Sequence, residues 1–110
     1  AYRPITLNQR TFWLYLTTWA MEETSESEWS LLAILESIQT PTLPTSTRLM
    51  IQSDGTTLIE EEAKAQSAYL IAQVIGSWSE KFTLTLQSFD PESGTLQDSL
   101  SLPPVVFQPY

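Results

Sequence analysis

Cysteine and histidine are both absent from the 110-residue chain. Without cysteine there is no disulfide, no thiol nucleophile and no thiolate metal site, and without histidine the usual general base is missing. A small secreted domain often carries disulfides, so the lack of cysteine also favours a cytoplasmic location. The sequence therefore predicts a protein that is not an enzyme, with no catalytic residues, no cofactor and no metal.

Basic residues are scarce: five Lys and Arg stand against thirteen Asp and Glu, which gives a net charge of −8. Nucleic-acid binding requires a basic surface that displaces counterions, and anionic membranes make the same demand. Long apolar runs are missing too, since 68–75 falls far short of the roughly 20 residues of a membrane-spanning helix. We therefore predict a protein partner, basic in charge, or a homo-oligomer, and neither nucleic acid nor membrane.

The length and the aromatic content indicate one folded domain. Hydrophobic residues make up 42% of the chain, with four Trp, four Tyr and four Phe, which is enough for a single core. We predict one domain over 1–110. Segment 1–10 leads into it, and segment 103–110 (PPVVFQPY) is a proline-limited tail.

Alternating apolar and polar residues predict several strands. The clearest is 81–89, where Phe82, Leu84 and Leu86 alternate with threonine and glutamine. Asp54-Gly55 is a strong hairpin signal at the end of another candidate strand. The further candidate strands lie at 11–21, 29–38, 47–53 and 95–102.

Two segments are ambiguous between helix and strand. Leucines and an isoleucine in 28–38 have helical spacing, and 58–75 is consistent with an amphipathic helix ended by Gly76. As strands, the first segment places Trp29, Leu31, Ala33 and Leu35 on one face, and the second does the same for Leu70, Ala72 and Val74. Periodicity alone leaves both possibilities open.

The order of features from Thr11 onward resembles the C-terminal β-rich region of a large cyanobacterial family of unknown function. The matching stretches are Leu43-Pro44, the RLMI run at 48–51, Asp54-Gly55, the EEAKA run at 61–65 and GSWSEKFTLTL at 76–86. The family pattern has a second glycine where Trp78 and Ser79 stand. The resemblance covers about four fifths of the chain; it implies a β fold and a bacterial signalling or defence setting, and no chemistry.

We therefore predict an all-β domain, an antiparallel immunoglobulin-like sandwich of about seven strands. The alternative is an α+β domain with helices near 28–38 and 58–75. The predicted core consists of Phe12, Leu14, Leu16, Leu31, Leu35, Leu49, Ile51, Leu70, Val74, Phe82, Leu84 and Leu86.

Two acidic clusters are candidate chemical sites. The connector 22–28 lacks the Asp, Asn and Gly spacing of a calcium loop, which favours a solvated loop. Glu60 and Glu62 would share the solvent face of a strand, and Glu61 would point inward towards Lys64 or Arg48. Neither cluster predicts catalysis.

The aromatic residues of the candidate strand 11–21 are candidate binding residues. Trp13, Tyr15 and Trp19 share one face at period two, whereas Phe12, Leu14 and Leu16 share the other. We predict that a partner contacts Trp13, Tyr15, Trp19 and Trp78, with the first strand at a sheet edge. The predicted function is a non-catalytic protein-interaction or adaptor module; the alternative is a carbohydrate-binding or surface module that uses exposed aromatic rings.

Overall fold

Eight β-strands make up the regular structure in a computed structural model that describes residues 2–21 and 28–107. They are β1 (Tyr2–Leu7), β2 (Arg10–Met21), β3 (Glu28–Ser37), β4 (Thr47–Ser53), β5 (Thr56–Glu62), β6 (Tyr69–Ser77), β7 (Thr83–Phe89) and β8 (Leu96–Ser101). The described residues contain no helix. The α+β alternative is therefore wrong: 28–38 is mostly β3, and 58–75 is divided between β5 and β6.

The strands form two antiparallel four-stranded sheets that pack as a sandwich. The first sheet has the order β1-β2-β3-β6 and the second the order β5-β4-β7-β8. The predicted sandwich is thus confirmed, with eight strands instead of seven. The additional strand is β1, which lies in the segment that was expected only to lead into the domain.

Burial follows the strand period of two where the sequence allowed a helix. In β6 every second residue, from Leu70 to Gly76, is buried and the residues between are exposed. In β3 the inward residues Trp29, Leu31, Ala33 and Leu35 have no exposed surface. These segments form strands and not helices because β3 and β6 pair with each other, and each supplies hydrogen-bond partners for the backbone of the other.

The core lies between the two sheets. Eleven of the twelve predicted core residues are buried, and the twelfth, Leu16, is partly exposed and packs against the others. Trp29 is the largest side chain in the core; its ring lies 4.9 Å from that of Phe82, and its indole N–H donates to the carbonyl of Ser77.

Tight turns join several strands. Asp54 and Gly55 both have positive φ, as the predicted hairpin requires. Asn8 and Gln9 form a second two-residue turn of this kind between β1 and β2. At the β7–β8 turn, hydrogen bonds from the backbone N–H of Glu92 and the hydroxyl of Ser93 lower the pKa of the Asp90 carboxyl.

Candidate protein-binding face

The outward residues of the first sheet form the surface that we call the aromatic face. Tyr2 and Pro4 of β1 lie beside β2, opposite Tyr15 and Trp13. Across β2, β3 and β6 the register sets five rows: Trp13–Glu36–Tyr69, Tyr15–Ile34–Ile71, Thr17–Leu32–Gln73, Trp19–Ser30–Ile75 and Met21–Glu28–Ser77. Side chains in a row project from the same side of the sheet, so four strands contribute to one surface.

Six large apolar side chains of this face are well exposed. The exposed fractions run from 38% to 64% for Tyr2, Trp13, Trp19, Tyr69, Ile71 and Ile75. Taking roughly 150–250 Å² for each fully exposed side chain, these residues leave on the order of 600 Å² of apolar surface in water. The largest apolar patch of a monomeric soluble protein is typically about 300–600 Å², so this face is at the upper limit.

Three aromatic rings cluster at the β1 side of the face. The ring of Tyr2 lies 6.1 Å from that of Trp13, edge to face, and 4.8 Å from that of Tyr15. An open depression of about 330 Å³ is lined by Tyr2 and Trp13, and its surface is almost entirely apolar. Such a depression has the chemistry to accept an apolar side chain.

Trp78 lies away from the other predicted binding residues. It follows β6, and its ring contacts Phe107 of the C-terminal tail with 5.5 Å between centroids. Phe107 in turn stacks on Trp29, and Val105 pairs with Phe82 through two backbone hydrogen bonds. The described part of the tail therefore covers one end of the core and leaves the aromatic face open.

The prediction that the candidate strand 11–21, which is β2 in the structure, lies at a sheet edge is wrong for half of that strand. β1 pairs with the Arg10–Tyr15 part of β2, so β2 is an inner strand there. From Thr17 to Met21, β2 pairs only with β3 within the described ranges. Sequence reasoning missed β1 because Asn8-Gln9 is a weak turn signal compared with Asp54-Gly55.

The charges on the aromatic face are carboxylates. Glu36 is at one end of the central strand β3 and Glu28 at the other, and no Lys or Arg occurs in the rows. Glu28 and Glu36 are eight positions apart along β3, which corresponds to about 26 Å of backbone. A partner with basic groups at both ends of an apolar segment would complement this arrangement.

The outer face of the second sheet is mostly polar by contrast, with Met50 as an apolar residue in one of its rows. Arg48 of β4 makes ion pairs with Glu60 at 3.2 Å and Glu62 at 3.1 Å, and its guanidinium also lies over the ring of Phe89. Glu61 lies opposite buried Leu49, on the inner side of the sheet as expected, but it is exposed because β5 is an edge strand. The expected partner is wrong, since Arg48 bonds the outward pair Glu60 and Glu62.

Other candidate sites are few. Apart from Glu28, the acidic connector 22–28 lies outside the described residues. Across 2–21 and 28–107 no group of three or more acidic side chains is placed to hold a metal ion. A second, more polar depression of about 250 Å³ near Arg10, Pro44 and Gln97 brings together no acid–base pair.

No family model, no curated protein and no solved structure matches the chain. The part of the chain that the structure describes contains no helix that could span a membrane.

Proposed function

We propose that the chain is a non-catalytic protein-interaction module that docks a partner protein on the aromatic face of its first sheet. The observation that carries the proposal is the concentration of exposed Trp, Tyr and Ile side chains on one sheet face. The outward positions of the second sheet are mostly polar or charged, although Met50 lies among them and Leu58 of β5 is 45% exposed. Solubility alone would favour polar side chains on both outer faces.

The kind of partner follows from the chemistry of the face. The Tyr2–Trp13 depression accepts one aliphatic or aromatic side chain, and Ile71 and Ile75 offer a further apolar surface on β6, two strands from Trp13. Glu28 and Glu36 favour Lys or Arg at the two ends of the bound segment. The partner is thus an apolar protein surface flanked by basic residues.

The exposed rings of Trp13 and Trp19 also suggest the second candidate function, carbohydrate binding. A sugar needs hydrogen-bond partners for its hydroxyl groups beside the ring on which it stacks. The central polar pair of the face is already engaged, because the Gln73 amide donates to the Ser30 hydroxyl at 3.0 Å. Aliphatic Ile71 and Ile75 occupy neighbouring positions, so the face favours a protein over a glycan.

The proposal also includes a cellular location and a biological setting. The absence of cysteine supports a cytoplasmic location. The resemblance to the cyanobacterial family supports a bacterial signalling or defence assembly.

A random-peptide display library panned against the immobilised protein tests the function. We expect enriched peptides that combine Leu, Ile, Phe or Trp with flanking Lys or Arg. Trp13→Ser and Trp19→Ser should each weaken binding of a selected peptide at least about tenfold, because an aromatic hot spot contributes about 2 kcal/mol or more. Both variants should stay folded with a modest loss in melting temperature, because both side chains lie on the surface but are also partly buried.

Trp78→Ser is the matched control, because Trp78 is 42% exposed, much like Trp13 and Trp19, but lies off the aromatic face. It should bind the peptide as the parent does. Equal losses in all three variants would contradict the proposed face. Binding of soluble β-linked oligosaccharides that depends on Trp13, without peptide enrichment, would instead support the carbohydrate module.

A further inference from the structure

β6 is a free sheet edge. It pairs with β3 on one side, and within 2–21 and 28–107 no strand pairs with its other side. At nine residues it is the longest of the four edge strands, since β1 and β8 have six and β5 has seven. A long free edge presents a row of backbone donors and acceptors to which another strand can bind.

β6 also lacks every residue that normally protects an edge. β1 contains Arg3 and Pro4, β5 contains three glutamates at 60–62, and β8 contains Asp98. These charges and this proline oppose pairing with a further strand. The sequence of β6, YLIAQVIGS, has no charged residue and no proline. Among the four edge strands, only β6 is chemically open to strand addition over its whole length; the unpaired side of 17–21 in β2 also lacks charge and proline but is shorter.

The strand is complementary to itself. In an antiparallel pair centred on Gln73, all nine residues overlap, and Gln73 lies opposite the Gln73 of the second copy. On the outer face Ile71 then lies opposite Ile75, which gives two apolar cross-strand pairs. No charge meets a like charge within this ladder.

We infer that β6 is a homodimerisation edge, at which two copies of the chain pair antiparallel about Gln73 and join their first sheets into one eight-stranded sheet. The two-fold symmetry closes the assembly, because both copies use the same β6 edge. The dimer also makes the two aromatic faces continuous. The inference does not rest on the proposed partner protein, because it concerns backbone pairing along the β6 edge, although Ile71 and Ile75 of β6 also belong to the aromatic face.

A second copy fits the edge better than a strand of another protein does. Pairing about Gln73 brings the exposed Ile71 of each copy into contact with the exposed Ile75 of the other. A basic partner strand would find no carboxylate in β6 to pair with.

Ionic strength should affect dimerisation at β6 and docking on the aromatic face in opposite directions. Each copy has a net charge of −8, and β5 with its glutamates lies beside β6 across the sandwich. Repulsion between the copies is screened by salt, so the dimer should strengthen as the ionic strength rises. Docking of a basic partner on the aromatic face should weaken under the same change.

Sedimentation velocity across a concentration series from low micromolar to millimolar tests the dimer. The parent chain should show a concentration-dependent monomer–dimer equilibrium that shifts towards dimer in high salt. Gln73→Lys places two ammonium groups opposite each other at the symmetry axis and should weaken the dimer about tenfold or more. Ser99→Lys on β8 changes the net charge equally at another exposed edge and should leave the dimer intact.

Single-cysteine variants test the register, since the parent chain has no thiol. Gln73→Cys should be cross-linked to a dimer by a short bis-maleimide, and Ser99→Cys should not. Ile71→Cys should be cross-linked more slowly, because position 71 of the second copy lies about 13 Å away along the strand.

A parent chain that stays monomeric over the whole series, or equal behaviour of the two lysine variants, would overturn the inference. So would cross-linking that does not depend on position. Trp19→Ser should leave the dimer unchanged, because β2 lies about 10 Å from β6. Loss of peptide binding with an intact dimer, or the reverse, therefore identifies which of the two proposals fails.

Discussion

Leu84 illustrates how much one side chain of the core contributes. It has no exposed surface and pairs with Ile51 in the middle of the second sheet. Replacing Leu84 with alanine removes buried methyl groups and leaves a cavity, so we expect the free energy of unfolding to fall by about 2–5 kcal/mol. Urea denaturation with an unchanged slope would measure this loss directly.

Thr83 is the matched control, because it precedes Leu84 in the same strand and projects from the opposite side. Thr83→Ala should cost well under about 1 kcal/mol, as surface substitutions usually do. Similar losses in the two variants would mean that the facing of β7 is wrong.

Some residue-level features follow from the sequence, and one does not. The alternation of apolar and polar residues in β7 is enough to predict the buried side of that strand. Gly76, by contrast, ends the helix of the alternative prediction, but it is a buried residue of β6. A Cβ at this position would come within 2.5 Å of the Phe82 ring, so the strand needs glycine for close packing. That contact joins residues six positions apart across a turn, and no local pattern reveals it.

At the level of elements, the β1–β2 hairpin depends on an unusual turn. Gln9 has a φ of 64°, a left-handed conformation that costs a residue with a side chain about 1–2 kcal/mol. Gln9→Gly removes this strain but makes the unfolded chain more flexible. We therefore expect a net gain in the free energy of unfolding of about 0.5–1 kcal/mol, measured by thermal and urea denaturation.

The Asp54-Gly55 turn allows the reverse substitution, in which a glycine is replaced by a residue with a side chain. Gly55 has a φ of 78°, so Gly55→Ala should lower the free energy of unfolding by about 1 kcal/mol. A loss of stability in Gln9→Gly would indicate that the β1–β2 turn is not left-handed in solution.

The ambiguity between helix and strand is resolved by pairing that the sequence does not display. Segment 58–75 contains glutamates, alanines and a lysine that favour a helix locally. In the fold, a connection after Glu62 separates β5 from β6, and the two strands belong to different sheets. Ala63 is buried in that connection and Leu43 lies in another, so part of the core comes from loops that periodicity does not identify.

At the scale of the whole molecule, the charge distribution predicts that the chain does not bind nucleic acid. The five basic residues lie on different elements, and Arg48 is already paired with two glutamates. With no basic surface to release counterions, we expect negligible retention on heparin or DNA columns at physiological salt. Retention on an anion exchanger provides the positive control, and submicromolar, salt-sensitive DNA binding would contradict this prediction.

The candidate binding face is predictable only in part. Period two places Trp13, Tyr15 and Trp19 on one side of a strand, and the structure keeps them together. Tyr2, Tyr69, Ile71 and Ile75 join them because β1 and β6 belong to the same sheet, which is a property of topology. Trp78 is equivalent to the other tryptophans by residue type, yet its ring packs against the tail instead.

The placement of the four indoles gives the molecule two intrinsic optical reporters. Trp29 has no contact with solvent, whereas Trp13, Trp19 and Trp78 are all partly exposed. Acrylamide should therefore quench the emission in two classes: a red-shifted, accessible one and a blue-shifted, shielded one. The shielded class measures the integrity of the sandwich, and the accessible class responds to anything that covers the outer surface, so unfolding and docking can be followed in one unlabelled sample.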